Sequence, residues 1–534
     1  MIREYILVLH GQPLWPILWS SYWGHRMVIG RLIFFADARW GSLASLTWLL
    51  LLLQFAHIAL ILALARLLLW SKSRACFVLA CAVTLNLMLA PDQMENFIWR
   101  NQILYVLVFA AATASFLLLA AAARRRRFCL PLSILAAVLA TCTMGNGFLV
   151  WPALVAEAVA LRLGRRTVIA IATIGAAVIG FYTWHYEHPT GGGMGVASMI
   201  RHPIDAIRML GLYLAGPLDF LSMPWGTAAA IVALVALAYL AFIAWRQEHP
   251  WIPALLAIML FILLTAASVV AGRLSPQWLG GLHGSFPLPS RYFTPIYLFW
   301  ACTALLVLYT CWLIRPRPLF LSFFAVLFLL FLFGRIRPQL IQAEDWADFF
   351  RATDALGSAI ILEVPDEQLL SALWPTPAER NERIAFMREN KLSVFAEPRA
   401  AWPGKRISDL FRIAPENRCI GGIEVARPIN SQGFRSWRLE GWAWDNQTDR
   451  SPADILLADD QGRVVGLGRG ELRHGYYPGL PLKTAAPPST PAHATHRHSE
   501  WLGYARIDDP NASQRLTAYG LLPDRQQVCA VGVY

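Results

Sequence analysis

Charge is what this chain has least of. Asp, Glu, Lys and Arg make up 15% of its 534 residues, against roughly 25% in a soluble domain. The shortfall is concentrated: between Gly41 and Gly334 apolar blocks recur with short basic or Pro/Gly-rich links, and from Arg335 onward the composition is that of a soluble protein. Several motifs are also missing. No C-x-x-C pair exists, so neither a zinc nor a redox motif is supported. There is no phosphate-cradling Gly-rich loop, no nucleophile elbow and no metalloprotease helix. No internal repeat is evident. The soluble part carries no basic stripe interleaved with aromatics, so the net charge of +12 and pI of about 9.5 do not point to nucleic acid. Much of the positive excess flanks the apolar blocks, where membrane topology places it.

What is present is apolar sequence in membrane-sized pieces. The chain is 57% hydrophobic, with a mean hydropathy of +0.46. A bilayer core needs about 20 apolar residues per helix. Spans are predicted at 42–70, 75–91, 97–123, 128–144, 147–162, 167–184, 227–245, 250–271, 294–314 and 318–334. The interrupted segment 205–224, with Arg208, Gly216, Pro217 and Asp219, reads as a re-entrant or interfacial helix, a full span being the alternative. The expected fold is an α-helical polytopic membrane domain of about ten transmembrane helices. A soluble α+β region follows, ending in a β-sandwich-like domain. The predicted divisions are an external loop at 1–41, the membrane domain at 42–334, a mostly helical connector at 335–415 and a β-rich domain at 416–534.

Orientation follows from the arginines. Lys72 and Arg74, Arg124 to Arg127, Arg162 with Arg165 and Arg166, Arg246, and Arg315 with Arg317 mark every second loop as cytoplasmic. The opposite loops and everything after residue 334 then face the periplasm of a bacterial inner membrane. The first forty residues lack the pattern of a signal peptide. They look like an external loop without its preceding helix, which would put the true start of translation upstream.

Arg26, Arg31, Arg273 and Arg291 fall on the outer side, against the charge rule, and need another reason to be there. They belong to three clusters. The first is Trp23-Gly24-His25-Arg26 with Arg31 and Asp37. The second runs from Pro91 to Gln102 and holds Asp92, Glu95, Trp99, Arg100 and Gln102. The third joins Gly272-Arg273 to Ser290-Arg291-Tyr292. On a continuous helix Glu95, Trp99 and Gln102 would share one face, and Arg100 would lie about one turn inside its span. Arginines beside carboxylates suit an anionic donor and a general base. The structural alternative is that Asp92 and Glu95 favour a helix N-terminus and that Arg100 snorkels outward to Glu95. Weaker features are the turn Met144-Gly145-Asn146-Gly147, the His185/Glu187/His188 triplet and the loop holding His493, His496 and His498. These read as packing or exposed loop before metal. No cofactor is implied, although a divalent cation remains open.

The strings HRMVIGRL, PDQMENFIWRNQ, MGNGFLVWPAL and GR…SRYFTP resemble a group of uncharacterised bacterial multi-pass proteins. Those look like distant members of the C-type glycosyltransferase superfamily. The resemblance covers about residues 1–335. It implies a sugar transferred from a polyprenyl-phosphate donor on the outer membrane face, with an acidic residue of the first external loops as catalyst and no nucleotide site. On this chain it implies Asp92, Glu95 or Asp37 as the catalytic acid. His25, Arg26, Trp99, Arg100, Gln102, Arg273, Arg291 and Tyr292 would bind substrate. The partners would be membrane lipid, the polyprenyl-phosphate-linked sugar and a cell-envelope glycan acceptor. Two other readings stay open: a transporter or flippase of lipid-linked sugars, and a non-catalytic envelope assembly subunit.

After Gly334, residues 344–358 read as a short amphipathic helix and 366–395 as helical. From about 417, alternating segments such as WRLEGWAWD suggest strands. Trp442 and Trp444 could stack on sugar rings or fill the domain core. Cys419 and Cys529 flank this domain in an oxidising compartment, where two isolated thiols tend to pair. A disulfide between its first and last strands is expected.

Overall fold

The computed structural model describes residues 1–22, 25–43, 45–124, 126, 128–186, 195–218, 223–273, 290–313, 318–373, 376–415, 417–430, 433–473, 498–509 and 515–534. The chain forms two compact units. One is built from residues 1, 3–41 and 45–341, the other from 2, 42–44 and 342–534.

The first unit is helical. Residues 1–41, expected as loop, form α1 (Ile2–Leu9), α2 (Leu14–Trp19) and α3 (Val28–Trp40). The apolar blocks then become α4 (Leu46–Leu69), α5 (Arg74–Met88), α6 (Glu95–Ile98), α7 (Ile103–Ala123), α8 (Cys129–Thr143), α9 (Val150–Ala160) and α10 (Arg165–Thr183). They continue as α11 (Gly195–Arg201), α12 (Pro203–Leu214), α13 (Met223–Trp245), α14 (Ile252–Arg273), α15 (Phe293–Leu313) and α16 (Pro318–Leu362). Among the described residues seven helices are long and apolar enough to cross a membrane: α4, α7, α10 and α13 to α16. The α5, α8 and Gly145–Ala160 helices are apolar but shorter. Helix α12, inside the segment expected to be re-entrant, has 12 residues, too few for a span.

Helix α7 is the hub of this unit, with 78% of its apolar window buried. Ser115 on α7 and Ser133 on α8 each donate to the other's backbone carbonyl at 2.8 Å. This is the small-polar pairing that lets apolar helices approach closely. The Met144–Gly147 turn is a packing device. A Cβ at Gly147 would lie 1.9 Å from the Ala140 carbonyl oxygen, and one at Gly145 would lie 2.4 Å from His25 Nδ1. Helix α16 is different from the expectation. The predicted span 318–334 and the predicted helix 344–358 are parts of one 45-residue helix that contains Pro338. Only 6% of its apolar window is buried.

The second unit continues with α17 (Glu367–Leu373) and α18 (Pro377–Glu389), then strands. These are β1 (Arg412–Ile413), β2 (Cys419–Ile429), β3 (Arg435–Asp445), β4 (Asp454–Ala458), β5 (Val464–Leu472), β6 (Glu500–Ile507), β7 (Thr517–Leu521) and β8 (Gln527–Val533). Here the expectation of two stacked sheets is corrected. The strands form one eight-stranded sheet in the order β1-β8-β7-β4-β5-β6-β3-β2, mixed because β1 and β8 are parallel. The sheet curls until β2 meets β8: a Cβ on Gly532 would lie 2.8 Å from the Gly422 Cα. Cys419 and Cys529 form the expected disulfide across this approach, Cα to Cα 5.7 Å. Period-two alternation assigns the faces. Ile455, Leu457, Leu439 and Trp501 fill the curl with the two cysteines. Leu456, Ala458, Leu502 and Tyr504 pack against Ala352, Leu356 and Ala359 of α16.

Candidate active site

The second and third arginine-bearing clusters meet. The segment Pro91–Gln102 does not open as one helix. It runs as a 3-10 turn Pro91–Gln93, the short α6, an extended residue at Trp99 (φ −78°, ψ 105°) and a second 3-10 turn Arg100–Gln102. This corrects the shared face of Glu95, Trp99 and Gln102, because the helical register breaks at Trp99. It also moves Arg100 from one turn inside the span to its first residue. Trp99 is 49% exposed while Gln102 is buried.

The folded-back segment is sewn to the start of α15. Ser290 Oγ donates to the Asp92 carbonyl at 2.6 Å. Thr294 Oγ1 donates to Gln93 Oε1 at 2.6 Å and accepts from Asn96 Nδ2 at 2.7 Å. Gln93 Nε2 donates to the Met88 carbonyl at 2.7 Å, using a carbonyl that the end of α5 leaves without an intrahelical donor. Both polar motifs are therefore needed to satisfy each other's backbone at a helix end inside apolar surroundings.

Two carboxylates emerge from this knot in different settings. Asp92 is 1% exposed. Its Oδ2 receives the Tyr297 hydroxyl of α15 and the Arg335 guanidinium of α16, and Arg335 also donates to the Tyr297 oxygen at 2.6 Å. The Arg335 guanidinium lies 5.1 Å from the Tyr297 ring centre and 5.5 Å from that of Phe331. Asp92 Oδ1 has no hydrogen-bond partner among the described residues. Glu95 sits nearer the surface, its side chain 11% exposed. Its Oε2 accepts the Arg291 backbone N–H at 3.2 Å and lies 3.7 Å from the Arg291 guanidinium, which is 30% exposed. Burial pushes the Glu95 carboxyl above its ordinary value; the Arg291 charge and N–H oppose this without cancelling it. Tyr292 turns inward and packs edge-on to Tyr105 and tilted against Tyr213.

The other candidates lie elsewhere. Arg26 is 3% exposed. Its guanidinium donates to the carbonyls of Trp19 (2.8 Å), Trp184 (2.5 Å) and His185 (2.9 Å), tying α2 to the end of α10. Arg31 donates to the Leu18 and Ser20 carbonyls at 2.9 and 2.7 Å. These two arginines hold backbone carbonyls in place. His25 packs against Gly145, and burial lowers its pKa. Asp37 makes a third group with Ser45 and Arg100; Arg100 Nε also donates to Thr47 Oγ1 at 3.3 Å. Burial raises the Asp37 carboxyl, with Arg100 and the Leu46 N–H opposing.

Trp23, Gly24, Glu187, His188, His493 and His496 lie outside the described residues, as does the Arg273 side chain. His498 Nε2 is 3.2 Å from Glu344. Among the described residues no group of three His, Cys, Asp or Glu side chains is placed to hold a metal ion. Arg335 and Tyr297 were not among the candidates. The sequence did carry a signal for Arg335: it follows an apolar run directly. The domain boundary expected at residue 334 assigned it to the soluble part. No family model, no curated protein and no solved structure matches the chain.

Proposed function

We propose that the chain is a glycosyltransferase of the bacterial inner membrane, which uses a polyprenyl-phosphate sugar on the periplasmic face. All ten apolar segments cross the bilayer in this reading, the three short ones included, and the curled-sheet unit stands in the periplasm. The basic residues at alternate helix ends support that orientation. The observation that carries the proposal is the pairing of Glu95 with Arg291 above the closed Asp92–Tyr297–Arg335 group. A carboxyl whose pKa is raised by burial and that keeps partial access to solvent is suited to act as a base toward a hydroxyl. A partly exposed arginine next to it is suited to hold phosphate.

In this mechanism Glu95 accepts the proton of an acceptor hydroxyl. The hydroxyl oxygen bonds to the anomeric carbon, the bond from that carbon to the donor phosphate oxygen breaks, and polyprenyl phosphate leaves with the electron pair. Arg291 stabilises the negative charge that collects on that phosphate. Asp92 acts through Arg335 and Tyr297 by holding the end of α5, the start of α15 and the middle of α16 together. Trp442 of the sheet unit is 5% exposed, which closes its face to a sugar, while Trp444 is half-buried.

The test is transfer from a radiolabelled polyprenyl-phosphate sugar in membranes containing the whole chain. Glu95→Gln should abolish transfer with normal accumulation, and Asp92→Asn should lower accumulation. Full transfer by Glu95→Gln would end the assignment. A lipid-linked-sugar transporter is the second reading. It is favoured by Glu157 on α9, buried with no hydrogen-bond partner for either carboxyl oxygen among the described residues. Movement of intact lipid-linked sugar without cleavage would decide for it.

A further inference from the structure

Between Phe148 and Leu161 the sequence is apolar except for one residue, Glu157. Helix α9 turns Pro152, Ala156 and Val159 outward and Val150, Ala153, Leu154 and Ala158 inward. Glu157 belongs to the inward stripe, where Leu154 and Val150 lie one and two turns before it. It is 2% exposed, and neither carboxyl oxygen has a hydrogen-bond partner among the described residues. Water is close along the chain. Ala160 ends the helix three residues on, about 5 Å of rise away. A side chain so near the end could snorkel outward, yet this one turns into the contact that α9 makes with α7, α10 and α14.

Two features make the position hostile to a carboxylate. An ion taken out of water with no donor and no counter-charge loses its solvation and recovers nothing. The charges on the neighbouring elements are engaged or remote. Arg124, at the end of α7, lies 5.9 Å from the Trp251 ring centre. Arg162 pairs with Glu248 at 2.7 Å in solvent, and Arg165 and Arg166 at the start of α10 are exposed. Helix α8 carries no charged residue, and α14 none before Arg273. None of these groups acts on Glu157, whose surroundings are set by burial alone. The second feature is the helix itself. Glu157 sits in the last turn of α9, where the helix dipole presents its negative end. The neutral acid meets neither objection.

We propose that Glu157 is an intramembrane proton-binding site, occupied at neutral pH, with cytoplasmic water as source and sink of the proton. In the closed packing the carboxyl keeps its O–H bond. When the last turn of α9 opens, that bond breaks and the proton passes to water. The carboxylate left behind emerges beside the basic link that holds Arg162, Arg165 and Arg166. The site does not depend on what Glu95 and Arg291 do at the outer face; only its side of the membrane follows from the orientation proposed above.

The experiment uses the full chain in nanodiscs and dicyclohexylcarbodiimide, an apolar reagent that adds to protonated carboxyls and ends as an N-acylurea. Trypsin leaves Glu157 as the one acidic side chain of peptide 128–162 and Glu248 as the one of peptide 247–273, so each adduct is assigned by mass. At pH 7 peptide 128–162 should carry at least tenfold more adduct than 247–273, whose glutamate is exposed and paired with Arg162. Glu157→Gln should remove the adduct from 128–162. The infrared difference between the native chain and Glu157→Gln at pH 7 should show the carbonyl band of a protonated carboxyl, a readout that needs no reagent to enter. Equal adduct on the two peptides, or carboxylate bands in the difference spectrum, would overturn the proposal. With no adduct on either peptide, the infrared band decides. Glu157→Gln exchanges a neutral acid for a neutral amide of the same shape, so it should elute as one species with an unchanged unfolding midpoint. Loss of that folded species would show that a charge is required at the position, and would overturn the proposal as well.

Discussion

Replacing Arg335 with methionine removes the cation that faces Asp92 and keeps most of the apolar length of the side chain. Asp92 and Arg335 are each 1% exposed and Tyr297 is 0% exposed. That burial sets the scale. An exposed ion pair is worth about 0–1 kcal/mol, whereas stripping one partner from a buried pair costs about 3–5 kcal/mol, because the other charge is left uncompensated. Asp92 keeps the Tyr297 hydroxyl in Arg335→Met, and a hydrogen bond to a charged group retains about 1.5–3 kcal/mol. The expected loss is therefore at the lower end, about 3 kcal/mol. Adding Asp92→Asn removes the stranded charge, so the double variant should recover about 1–3 kcal/mol relative to the sum of the single changes. The assay is thermal unfolding of the full chain in detergent, followed as loss of the monodisperse elution peak. The midpoint should fall on the order of 5 °C for Arg335→Met, with partial recovery in the double variant. An unchanged midpoint for Arg335→Met, or strictly additive losses, would refute the view of a coupled buried pair.

Three further outcomes are expected. Reducing the Cys419–Cys529 bond, or replacing both residues with serine, should destabilise the sheet unit by about 5 kcal/mol, because the bond spans 110 residues in sequence. Its unfolding midpoint should fall on the order of 10 °C, and quantitative alkylation of both thiols in unreduced, denatured protein would contradict the bond. Glu95 holds its proton to higher pH when folded than when unfolded, so its contribution to stability is greatest at low pH and declines as pH rises above the ordinary value of 4.5. Unfolding midpoints from pH 4 to 8 should show that decline in the native chain and a flatter profile in Glu95→Gln; parallel profiles would show that the carboxyl is not perturbed. Reporter fusions should place residue 340 in the periplasm and residue 126 in the cytoplasm, and the reverse pattern would invert the orientation.

The sequence by itself determined the periodic and compositional features. Apolar runs of membrane length can satisfy their backbone in lipid as helices, so seven of the ten predicted spans coincide with helices long and apolar enough to cross a membrane and the other three with shorter apolar helices, and the runs at α4, α7 and α14 are legible without further information. Alternation likewise pointed to strands in segments such as WRLEGWAWD, while the split of β4, with Ile455 and Leu457 on one face and Leu456 on the other, is read from the fold. The pairing of Cys419 with Cys529 followed from their isolation in one domain.

The tertiary structure decided what depends on partners distant in sequence. Closure of the strands into one curled sheet, where two stacked sheets were expected, depends on Gly532, which lets β8 approach the Gly422 backbone of β2. Local alternation is the same for both architectures. The helix expected through Glu95, Trp99 and Gln102 broke because Ser290 and Thr294, some 200 residues away, offer the segment hydrogen bonds that a regular helix would not use. The same distance hid the partner of Asp92. Arg335 is 243 residues from it, and only folding shows that it faces the carboxylate, while Arg26 and Arg31, equally conspicuous in the sequence, are occupied with backbone carbonyls.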